Sequence, residues 1–410
     1  MQTITSFPKE KIKILLLENI HPGAVKLFSD QGYTQIESIV GSLNEKELIE
    51  KISNVHLLGI RSKTQLSEAV LKKANKLLAV GAFCIGTNQI AMSPAREEGI
   101  AVFNSPFSNT RSVAELVIGM SIVLMRRIPE KNIAAHKGDW LKESKNCFEV
   151  RGKTLGIIGY GHIGTQVSVL AESLGMNVIF YDVAPKLTLG NATACRTLDE
   201  LLKKSDIITL HVPGTPETKN MINAKTLKKI KPGAIVLNLS RGDVMDVKSV
   251  REALLTKHLG GLGVDVFSVE PKSNDERFVS PLQNIPNVLL TPHIGGSTME
   301  AQEAIGMDVA EKLINFIDTG SSTGSLSIPD ISLPILHNAH RILHIHHNVP
   351  GVLSQINGVL SKMKVNILGQ YLKTNAEIGY VVLDIDKKSS AKVMTELSKV
   401  KNTIRTRSLY

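Results

Sequence analysis

The chain has 410 residues, too many for a single hydrophobic core, so we expect about two to three domains. Its 42% hydrophobic and 21% charged residues are typical of a globular protein, and no apolar stretch reaches the roughly 18 residues of a membrane span. The formal charge of +10 comes from scattered basic residues and only 4% of residues are aromatic, which argues against nucleic-acid binding and favours small anionic substrates.

The cysteines Cys84, Cys147 and Cys195 are odd in number and have no paired spacing. This usage argues against a disulfide framework or a zinc site and favours a reducing compartment. Mixed charges between Lys9 and Lys13 precede the first apolar run, which is not typical of a signal peptide. We therefore expect a cytoplasmic protein without a metal centre and without a membrane partner.

Residues 12–104 are predicted to form a first α/β unit. Short apolar runs predict strands at IKILLL, HLLGI, LLAVG and AVFN, and helices are expected near 22–31 and 67–75. Strands that alternate with helices are typical of a doubly wound parallel sheet, in which ligands bind beyond the carboxyl ends of the strands.

Two loops that follow these strands are candidate ligand-binding segments. Residues 61–63, RSK, follow HLLGI, and the loop 81–87 follows LLAV. We expect both loops to face a cleft, although a solvated loop is the alternative interpretation of the basic residues in 61–63. A long helix is then predicted at 110–127, with Asn109 or Thr110 as its N-cap.

The stretch 154–182, TLGIIGYGHIGTQVSVLAESLGMNVIFYD, contains a strand, a glycine turn, a helix and a second strand. Gly159, Gly161 and Gly164 satisfy GxGxxG at the point where the helix must begin. The first glycine allows the tight turn, the second lets the backbone approach a pyrophosphate, and the third lets helix and strand pack closely. The unpaired amides and the dipole of the helix N-terminus would bind the pyrophosphate.

The second strand of this stretch ends at Asp182. A carboxylate there can accept hydrogen bonds from both ribose hydroxyls of NAD and repels the 2′-phosphate of NADP, a preference that nearby Lys186 weakens. Gly175 is the expected left-handed end of the helix. A lone GxGxxG is also compatible with an ordinary glycine-rich turn, but strand, helix, second strand and terminal acid together predict dinucleotide binding.

Residues 152–296 continue as alternating strands and helices, with strands predicted at NVIFY, TACRT, DIITL, AIVLN, GLGVD and NVLLT. Arg241, Glu270 and His293 each follow the end of such a strand. Parallel topology would bring these three residues to the sheet edge that carries the pyrophosphate turn. Three further residues at strand ends are expected to line the cofactor: His211, Pro213 and Asp265.

The convergent residues suit hydride transfer from a 2-hydroxy acid to a nicotinamide. His293 can accept the hydroxyl proton because an imidazole titrates near neutrality, and Glu270 would fix its tautomer and raise its pKa. Arg241 offers a planar fork for the substrate carboxylate and a permanent charge for the forming carbonyl oxygen. Taken singly, His293 fits a structural loop histidine better and Glu270 a surface acid; it is their convergence at strand ends that favours a functional site.

An amphipathic helix is predicted at 299–318, and it should return the chain to the first unit. Residues 319–334, TGSSTGSLSIPDISLP, are rich in Gly, Ser and Pro and are predicted to be a linker. Between 341 and 409 the pattern is βαββαβ, the order of a small ferredoxin-like domain. Nothing in this last domain indicates a catalytic group.

Five segments together resemble one enzyme family. SVAELVIG, GYGHIG, NLSRGDVMD, GVDVFSVEP and LLTPHIGGST are similar to motifs of the D-isomer-specific 2-hydroxyacid dehydrogenases, and the resemblance covers nearly the whole chain. RSxT and NSPFSNTRSVAE resemble the branch that acts on 3-phosphoglycerate and carries an ACT-type regulatory domain. The implied fold class is α/β, with two Rossmann-like doubly wound parallel-sheet domains plus a C-terminal ferredoxin-like βαββαβ (ACT) domain.

The resemblance also implies domain limits and a reaction. The substrate-binding domain would comprise 1–108 and 298–334, the NAD-binding domain 109–297 and the ACT domain 338–410. The enzyme would use NAD as cofactor to oxidise 3-phospho-D-glycerate to 3-phosphohydroxypyruvate, the first step of L-serine biosynthesis.

Residue roles follow from the matched motifs. His293 would be the catalytic base, Glu270 its partner and Arg241 the carboxylate-binding arginine. Lys63 stands where many members have arginine, which keeps the charge but loses the bidentate fork. The expected substrate-binding residues are Arg61, Ser62, Lys63, Asn109 and Arg241. Beyond the residues already named, the expected cofactor-binding residues are His162, Ile163, Leu239, Ser240, Gly295 and Gly296.

The same resemblance implies feedback inhibition by serine in a homotetramer. His346 and Asn348 of one subunit and Asn366 of another would hold the effector where two ACT domains pair. Asparagine suits an amino acid because it offers both a donor and an acceptor. The alternative is that His346 and Asn348 only form the turn before Pro350.

Two other functions are compatible with these motifs. A dehydrogenase for another D-2-hydroxy acid, such as 2-hydroxyglutarate, would need the same catalytic residues and a basic pocket. A non-catalytic NAD(H)-sensing scaffold would keep the fold but would need a surface for a partner peptide. Turnover with 3-phosphoglycerate separates the three.

Overall fold

The computed structural model describes residues 8–271, 275–334, 339–386 and 390–409. The chain divides into two compact units. One unit comprises the residues up to Ser108 together with those from Gln302 onward, and the other comprises Asn109–Ala301. Asn338, the first residue of the predicted third domain, lies outside the described residues.

The N-terminal part of the first unit is a five-stranded parallel sheet flanked by helices. Its strands are β1 (Lys13–Leu16), β2 (Gln35–Ser38), β3 (Leu57–Ile60), β4 (Ala79–Ala82) and β5 (Ala101–Asn104). Its helices are α1 (Pro22–Asp30), α2 (Glu45–Ile52), α3 (Glu68–Leu71) and α4 (Met92–Glu97). The strand order β2-β1-β3-β4-β5 reverses direction between β1 and β3, which makes that position a topological switch point.

Apart from β2, the strands of this sheet are buried on both faces. Leu16 contributes to the apolar core on one face, whereas its neighbours Leu15 and Leu17 contribute to the core on the other. Continuous apolar runs such as IKILLL are therefore required, as in other parallel sheets with helices on both sides. The sequence patterns missed β2, because it is an edge strand with mostly exposed side chains, and they missed α2 although Asn44 and Glu47 form a capping box.

The second unit is built on a seven-stranded parallel sheet. Its strands are β6 (Thr154–Ile158), β7 (Asn177–Tyr181), β8 (Thr193–Ala194), β9 (Ile207–Leu210), β10 (Ile235–Asn238), β11 (Gly261–Val264) and β12 (Val288–Leu290). Its helices are α5 (Thr110–Met125), α6 (Ile128–His136), α7 (His162–Ser173), α8 (Leu198–Lys204), α9 (Ala224–Leu227) and α10 (Val247–Leu255). The order β12-β11-β10-β9-β6-β7-β8 places the switch point between β6 and β9.

The helix predicted at 110–127 is shorter than expected. Arg127 has φ of 53° and Pro129 lies in the first turn of the next segment, so α5 ends and α6 begins separately. Asn109 occupies the N-cap position of α5, but its side chain makes no capping hydrogen bond, in contrast to the prediction.

The C-terminal part of the first unit begins with α11 (Met299–Thr319) and ends in a four-stranded antiparallel sheet. The elements are β13 (His340–His347), α12 (Val352–Lys362), β14 (Ile367–Thr374), β15 (Ile378–Ile385), α13 (Ser390–Leu397) and β16 (Thr403–Leu409). The βαββαβ prediction is confirmed, and the strand order β14-β15-β13-β16 leaves β14 and β16 at the edges.

The segment 319–334 does not behave as the linker that its composition predicts, and its first residue, Thr319, ends α11. Ser322 and Ser327 are buried, and the Ser327 hydroxyl accepts a hydrogen bond from Val102 N and donates one to Ile100 O. Arg341, at the start of β13, donates to Thr319 O and Pro334 O at the two ends of the segment. Small polar side chains in this segment form hydrogen bonds with backbone groups of the adjoining sheet. Composition alone cannot distinguish such buried side chains from ones that are exposed to solvent.

A search of the described residues finds no helix that combines the length and the apolar character needed to cross a membrane.

Candidate active site

The glycine turn between β6 and α7 has the geometry that a dinucleotide requires. Gly159 has φ of 92°, and a Cβ there would lie 2.4 Å from His211 O. A Cβ on Gly164 would lie 2.3 Å from Gly159 O, so helix and turn are in direct contact. A Cβ on Gly161 would meet no described atom within 4 Å, which leaves room for a ligand at the N-terminus of α7. The turn therefore fits a pyrophosphate.

Asp182 follows β7 and is held by two backbone amides. Its Oδ2 accepts from Tyr160 N at 2.8 Å, and its Oδ1 accepts from Ala184 N at 2.9 Å. A carboxylate has about four acceptor positions, so two remain for the ribose hydroxyls of NAD. The contact with Tyr160 N also ties the acid to the glycine turn, which places the two predicted cofactor contacts side by side.

The other predicted cofactor residues of the second unit differ in what their side chains can reach. Ile163 and Leu239 pack in the apolar core, and the Ser240 hydroxyl donates to Asn238 Oδ1, so these positions offer backbone groups to a ligand. His211 Nε2 is hydrogen-bonded with Thr209 Oγ1, and burial lowers the pKa of His211 to about 3. His211 is thus a neutral side chain beside the glycine turn. His162 is the first residue of α7, and Pro213 is exposed.

His293 and Glu270 form the central contact of the candidate active site. His293 Nδ1 lies 2.9 Å from Glu270 Oε2 and 3.1 Å from Oε1, and Glu270 Oε1 also accepts from Phe267 N at 3.0 Å. The histidine side chain is about half exposed (54%), so its other ring nitrogen is accessible to a substrate. This is the arrangement of a base oriented by a carboxylate.

His293 and Glu270 shift each other's pKa in opposite directions. The hydrogen bond to Glu270 raises the pKa of His293, and partial burial opposes this only in part. Burial by itself would raise the pKa of Glu270, but the hydrogen bonds from His293 and Phe267 N and the nearby charge of Arg241 outweigh it and lower that pKa. Glu270 is therefore a carboxylate near neutral pH, as an acceptor for the imidazole must be.

Asp265 holds the loop that carries His293. Its buried carboxylate accepts from Thr291 Oγ1 at 2.6 Å, from Ile294 N at 2.8 Å and from Gly295 N at 2.8 Å. His293 itself has φ of 54°, a left-handed conformation that is uncommon outside glycine. The sequence predicted Asp265 as a residue lining the cofactor, but its position at a strand end could not reveal these contacts with residues 26 to 30 positions away.

Arg241 follows β10 and is half-buried. Its Nη1 donates to Ser240 O at 2.7 Å, and its backbone carbonyl accepts from Asn238 Nδ2 at 2.9 Å. Its charge acts on both Glu270 and His293, so the three predicted catalytic residues are near one another. The geometry combines a proton acceptor with a cation, which suits oxidation of an alcohol next to a carboxylate.

A cavity of about 470 Å³ adjoins the histidine and glutamate. Its lining includes Phe267, Phe278 and Leu290 together with His293 and Glu270.

Asn109, a predicted substrate-binding residue, lies against Gly296 in the same unit. A Cβ on Gly296 would lie 2.3 Å from Asn109 Nδ2, and the buried Asn109 Oδ1 has no partner among the described residues. Asn109 therefore packs against Gly296 and does not cap the helix, and its contact with substrate stays a prediction.

The predicted phosphate-binding residues lie in the first unit, directly after β3. Ser62 and Lys63 are exposed, and the half-buried Arg61 donates through Nη1 to Glu18 O at 3.4 Å. Gln89, which the sequence patterns missed, donates to Arg61 O at 2.6 Å and to Gly86 O at 3.2 Å. It ties the loop after β3 to the loop after β4.

Two of the three predicted effector residues lie at the same end of the four-stranded sheet. His346 is buried, with Nδ1 2.8 Å from His347 O, and Asn348 Nδ2 donates to Asn375 O at 2.7 Å. Asn366 lies at the other end of the sheet, because Ile367 pairs with Ile385 whereas His346 pairs with Gly379. The separation is roughly 20 Å at about 3.3 Å per residue, so one chain alone cannot place the three side chains around one amino acid.

Comparisons with known proteins identify the class. Residues 118–295 match the NAD-binding domain of D-isomer specific 2-hydroxyacid dehydrogenases, and residues 342–405 match the ACT domain of the type in the acetohydroxyacid synthase (AHAS) small subunit. The chain belongs to the D-isomer specific 2-hydroxyacid dehydrogenase family and is an NAD-dependent oxidoreductase.

Relatives that match the full length of the chain share the name of one particular enzyme within this family. The chain is 52% identical over 407 residues to D-3-phosphoglycerate dehydrogenase of Escherichia coli K12, with 99% of each chain covered. It is 50% identical over 410 residues to D-3-phosphoglycerate dehydrogenase of Dictyostelium discoideum, with both chains fully covered.

Among solved structures, the TT0316 protein of Thermus thermophilus is 29% identical with a TM-score of 0.69, covering 77% of this chain and 100% of its own. D-lactate dehydrogenase of Aquifex aeolicus, complexed with NAD and lactic acid, is 26% identical with a TM-score of 0.66, covering 78% of this chain and 100% of its own.

Proposed function

We propose that this protein oxidises 3-phospho-D-glycerate to 3-phosphohydroxypyruvate with NAD and thereby opens L-serine biosynthesis. The observation that carries the proposal is the His293–Glu270 pair beside Arg241, in a chain about half identical to D-3-phosphoglycerate dehydrogenases over its full length. The domain limits proposed with it are 1–108 with 298–334 for substrate, 109–297 for NAD and 338–410 for regulation.

Each side chain has a separate task in the proposed reaction. NAD, when bound, supplies the acceptor for the hydride. His293 accepts the hydroxyl proton, and Glu270 stabilises the imidazolium that results. Arg241 binds the substrate carboxylate and offsets charge on the carbonyl oxygen. Asp182 binds the ribose hydroxyls and disfavours NADP.

The proposal is tested by NADH formation from NAD and 3-phosphoglycerate with the purified protein. Oxidation of the alcohol is uphill, so the reverse reaction with 3-phosphohydroxypyruvate and NADH is the more sensitive assay. Faster turnover of 2-hydroxyglutarate than of 3-phosphoglycerate would assign a different 2-hydroxy acid. NAD binding without turnover in either direction would indicate the sensing scaffold instead.

Replacement of Arg61 by alanine tests the phosphate-binding role. We expect the KM for 3-phosphoglycerate to rise by about 10- to 100-fold, the scale of losing a charge-assisted contact, because only the phosphorylated substrate presents a dianion to the guanidinium. The KM for unphosphorylated D-glycerate should change by less than about twofold, since it lacks that group. Steady-state kinetics with both substrates measure the ratio, and an equal rise for both would make Arg61 a structural residue.

We further propose that serine inhibits the enzyme at a contact between ACT domains in a homotetramer. β14 is an edge strand with exposed Ile367, Leu368 and Leu372, so two such edges can pair about a two-fold axis. Antiparallel pairing of two β14 strands would bring Asn366 of one subunit towards His346 and Asn348 of the other. The opposite positions of these residues within one chain support an effector site shared by two chains.

Replacement of Asn348 by alanine is expected to weaken serine inhibition by about tenfold or more, because the amide contact with the amino acid is lost. Turnover without serine should be nearly unchanged, since the proposed catalytic residues Arg241, Glu270 and His293 all lie in the second unit. The measurement is the serine concentration for half inhibition in both proteins. Equal inhibition in wild type and Asn348→Ala would remove the proposed site.

A further inference from the structure

The loops after β1 and β3 leave the first sheet side by side at its topological switch point. Leu16 pairs with Gly59, and Leu17 N donates to Gly59 O at 2.9 Å, so the two chains remain adjacent as the strands end. Ligands bind at switch points of open parallel sheets. The loop after β3 carries Arg61, Ser62 and Lys63, and the loop after β1 carries Glu18.

Glu18 is a buried acid whose carboxylate lies against the backbone of the loop after β3. Only 7% of its surface is exposed. Its Oε1 accepts from Thr64 N at 2.8 Å and from Arg61 N at 3.2 Å, and its Oε2 accepts from Lys63 N at 3.0 Å. One carboxylate therefore satisfies three backbone amides of a four-residue segment.

The backbone of Glu18 is itself held in an unusual conformation. Glu18 has φ of 64° and Asn19 has φ of 53°, two successive left-handed residues without a glycine. Their amides donate to Gly41 O and Ile39 O at 3.0 and 3.3 Å, in the chain that follows β2. Such a conformation persists only where the surroundings determine it, and it is a common feature of functional sites.

We infer that Glu18 is the positioning residue of the anion-binding loop Arg61–Thr64. The inference rests on the proposed function, because it concerns the loop to which phosphate binding is assigned. Three amides that point at one internal carboxylate hold the loop in a single conformation. That conformation leaves the Ser62 and Lys63 side chains exposed and keeps Arg61 half-buried against Glu18 O.

The Glu18 carboxylate holds the loop because both of its oxygens accept hydrogen bonds, and a side chain of the same size without this property would not replace it. A carboxylate is an acceptor at both oxygens, whereas a glutamine amide of nearly the same size accepts at one oxygen and donates at the other. Glu18→Gln would keep acceptance from Arg61 N and Thr64 N but would place a donor against Lys63 N. An unpaired amide in a nearly buried position is unfavourable, so the loop would shift.

The test is Glu18→Gln, assayed in the full-length protein with 3-phosphoglycerate and with D-glycerate. We expect the KM for 3-phosphoglycerate to rise about tenfold, the scale of one lost charge-assisted hydrogen bond, with less than about a twofold change in kcat and in the KM for D-glycerate. On an Arg61→Ala, Lys63→Ala background the same substitution should add less than about twofold, because both charged side chains through which it acts are absent.

Glu37→Gln is the matched control, since Glu37 is an exposed acid of the same unit that pairs with Lys51. If Glu18→Gln does not fold, Glu18→Asp keeps the acceptor-only carboxylate with a shorter reach, and a several-fold rise confined to 3-phosphoglycerate is expected. Equal KM changes for both substrates, or full additivity with the combined Arg61→Ala and Lys63→Ala replacements, would overturn the inference while wild-type turnover keeps the proposed function. Absence of wild-type turnover would overturn the proposed function itself.

Discussion

His293→Asn is expected to lower kcat by about 10²- to 10⁴-fold, the usual range for loss of a general acid–base. The asparagine side chain is somewhat smaller than that of histidine and its amide can still hydrogen-bond Glu270. It cannot accept and return a proton at neutral pH. NAD affinity should stay near that of the wild type, because the glycine turn and Asp182 are unchanged. Single-turnover kinetics and NAD titration measure the two quantities separately.

The matched control is His136→Asn, since His136 is an exposed histidine at the end of α6 in the same unit. Wild-type turnover in His293→Asn would exclude His293 as the base. If weaker NAD binding accounted for the whole loss of turnover in His293→Asn, His293 would have a binding role instead.

The pH profile gives an independent check of the same pair. Glu270 raises the pKa of His293, and oxidation requires the neutral imidazole, so kcat/KM for oxidation should fall as the pH drops through that raised pKa. Glu270→Gln removes the cause of the shift, and the acidic limb should move to lower pH. In the direction of reduction, which requires the imidazolium, activity near neutral pH should decrease. An unmoved acidic limb would separate Glu270 from the ionisation of His293.

Arg241→Ala is the second substitution with a large expected effect. We expect kcat/KM to fall by about 10²- to 10³-fold, the scale of removing one group that stabilises transition-state charge. The substrate loses its carboxylate partner, and the forming carbonyl oxygen loses the nearby cation. Arg241→Lys should recover part of this loss, because it restores the charge but not the planar fork.

Arg151→Ala is the control for loss of charge alone. Arg151 is exposed and precedes β6, so it lies at the amino ends of the parallel strands, whereas Arg241 lies at their carboxyl ends. The decrease should appear with every 2-hydroxy acid tested, unlike that of Arg61→Ala. A loss confined to phosphorylated substrates would transfer the phosphate-binding role to Arg241.

Local patterns predicted the elements whose chemistry is contained within a few residues. The turn is readable because Gly159 and Gly164 are required by close backbone contacts and Gly161 leaves room for a ligand, all at a fixed spacing. The buried strands and the βαββαβ domain follow from apolar runs and alternation. The strand-end rule also brought Arg241, Glu270 and His293 to one edge, since parallel topology leaves few other arrangements.

Long-range contacts were outside the reach of these patterns. Ser327 satisfies backbone groups of residues more than 200 positions earlier, so a segment with the composition of a linker is in fact buried. Glu18 is a strand-end acid that the same rule could have singled out, but its three amide contacts lie 43 to 46 residues away. Edge strand β2 carries almost no apolar signal, because its side chains face solvent.

The sequence by itself determined the class of fold and the cofactor-binding turn, and it predicted the candidate catalytic residues. Those features depend on steric needs, on hydrophobic periodicity and on functional groups, which are all properties of short segments. Only the tertiary structure decided how the groups are held: Asp265 on the loop of His293, Glu18 under the loop of Arg61, and His346 and Asn348 away from Asn366. Hydrogen bonds form between atoms that are close in space, and the chain brings those atoms together only when it folds.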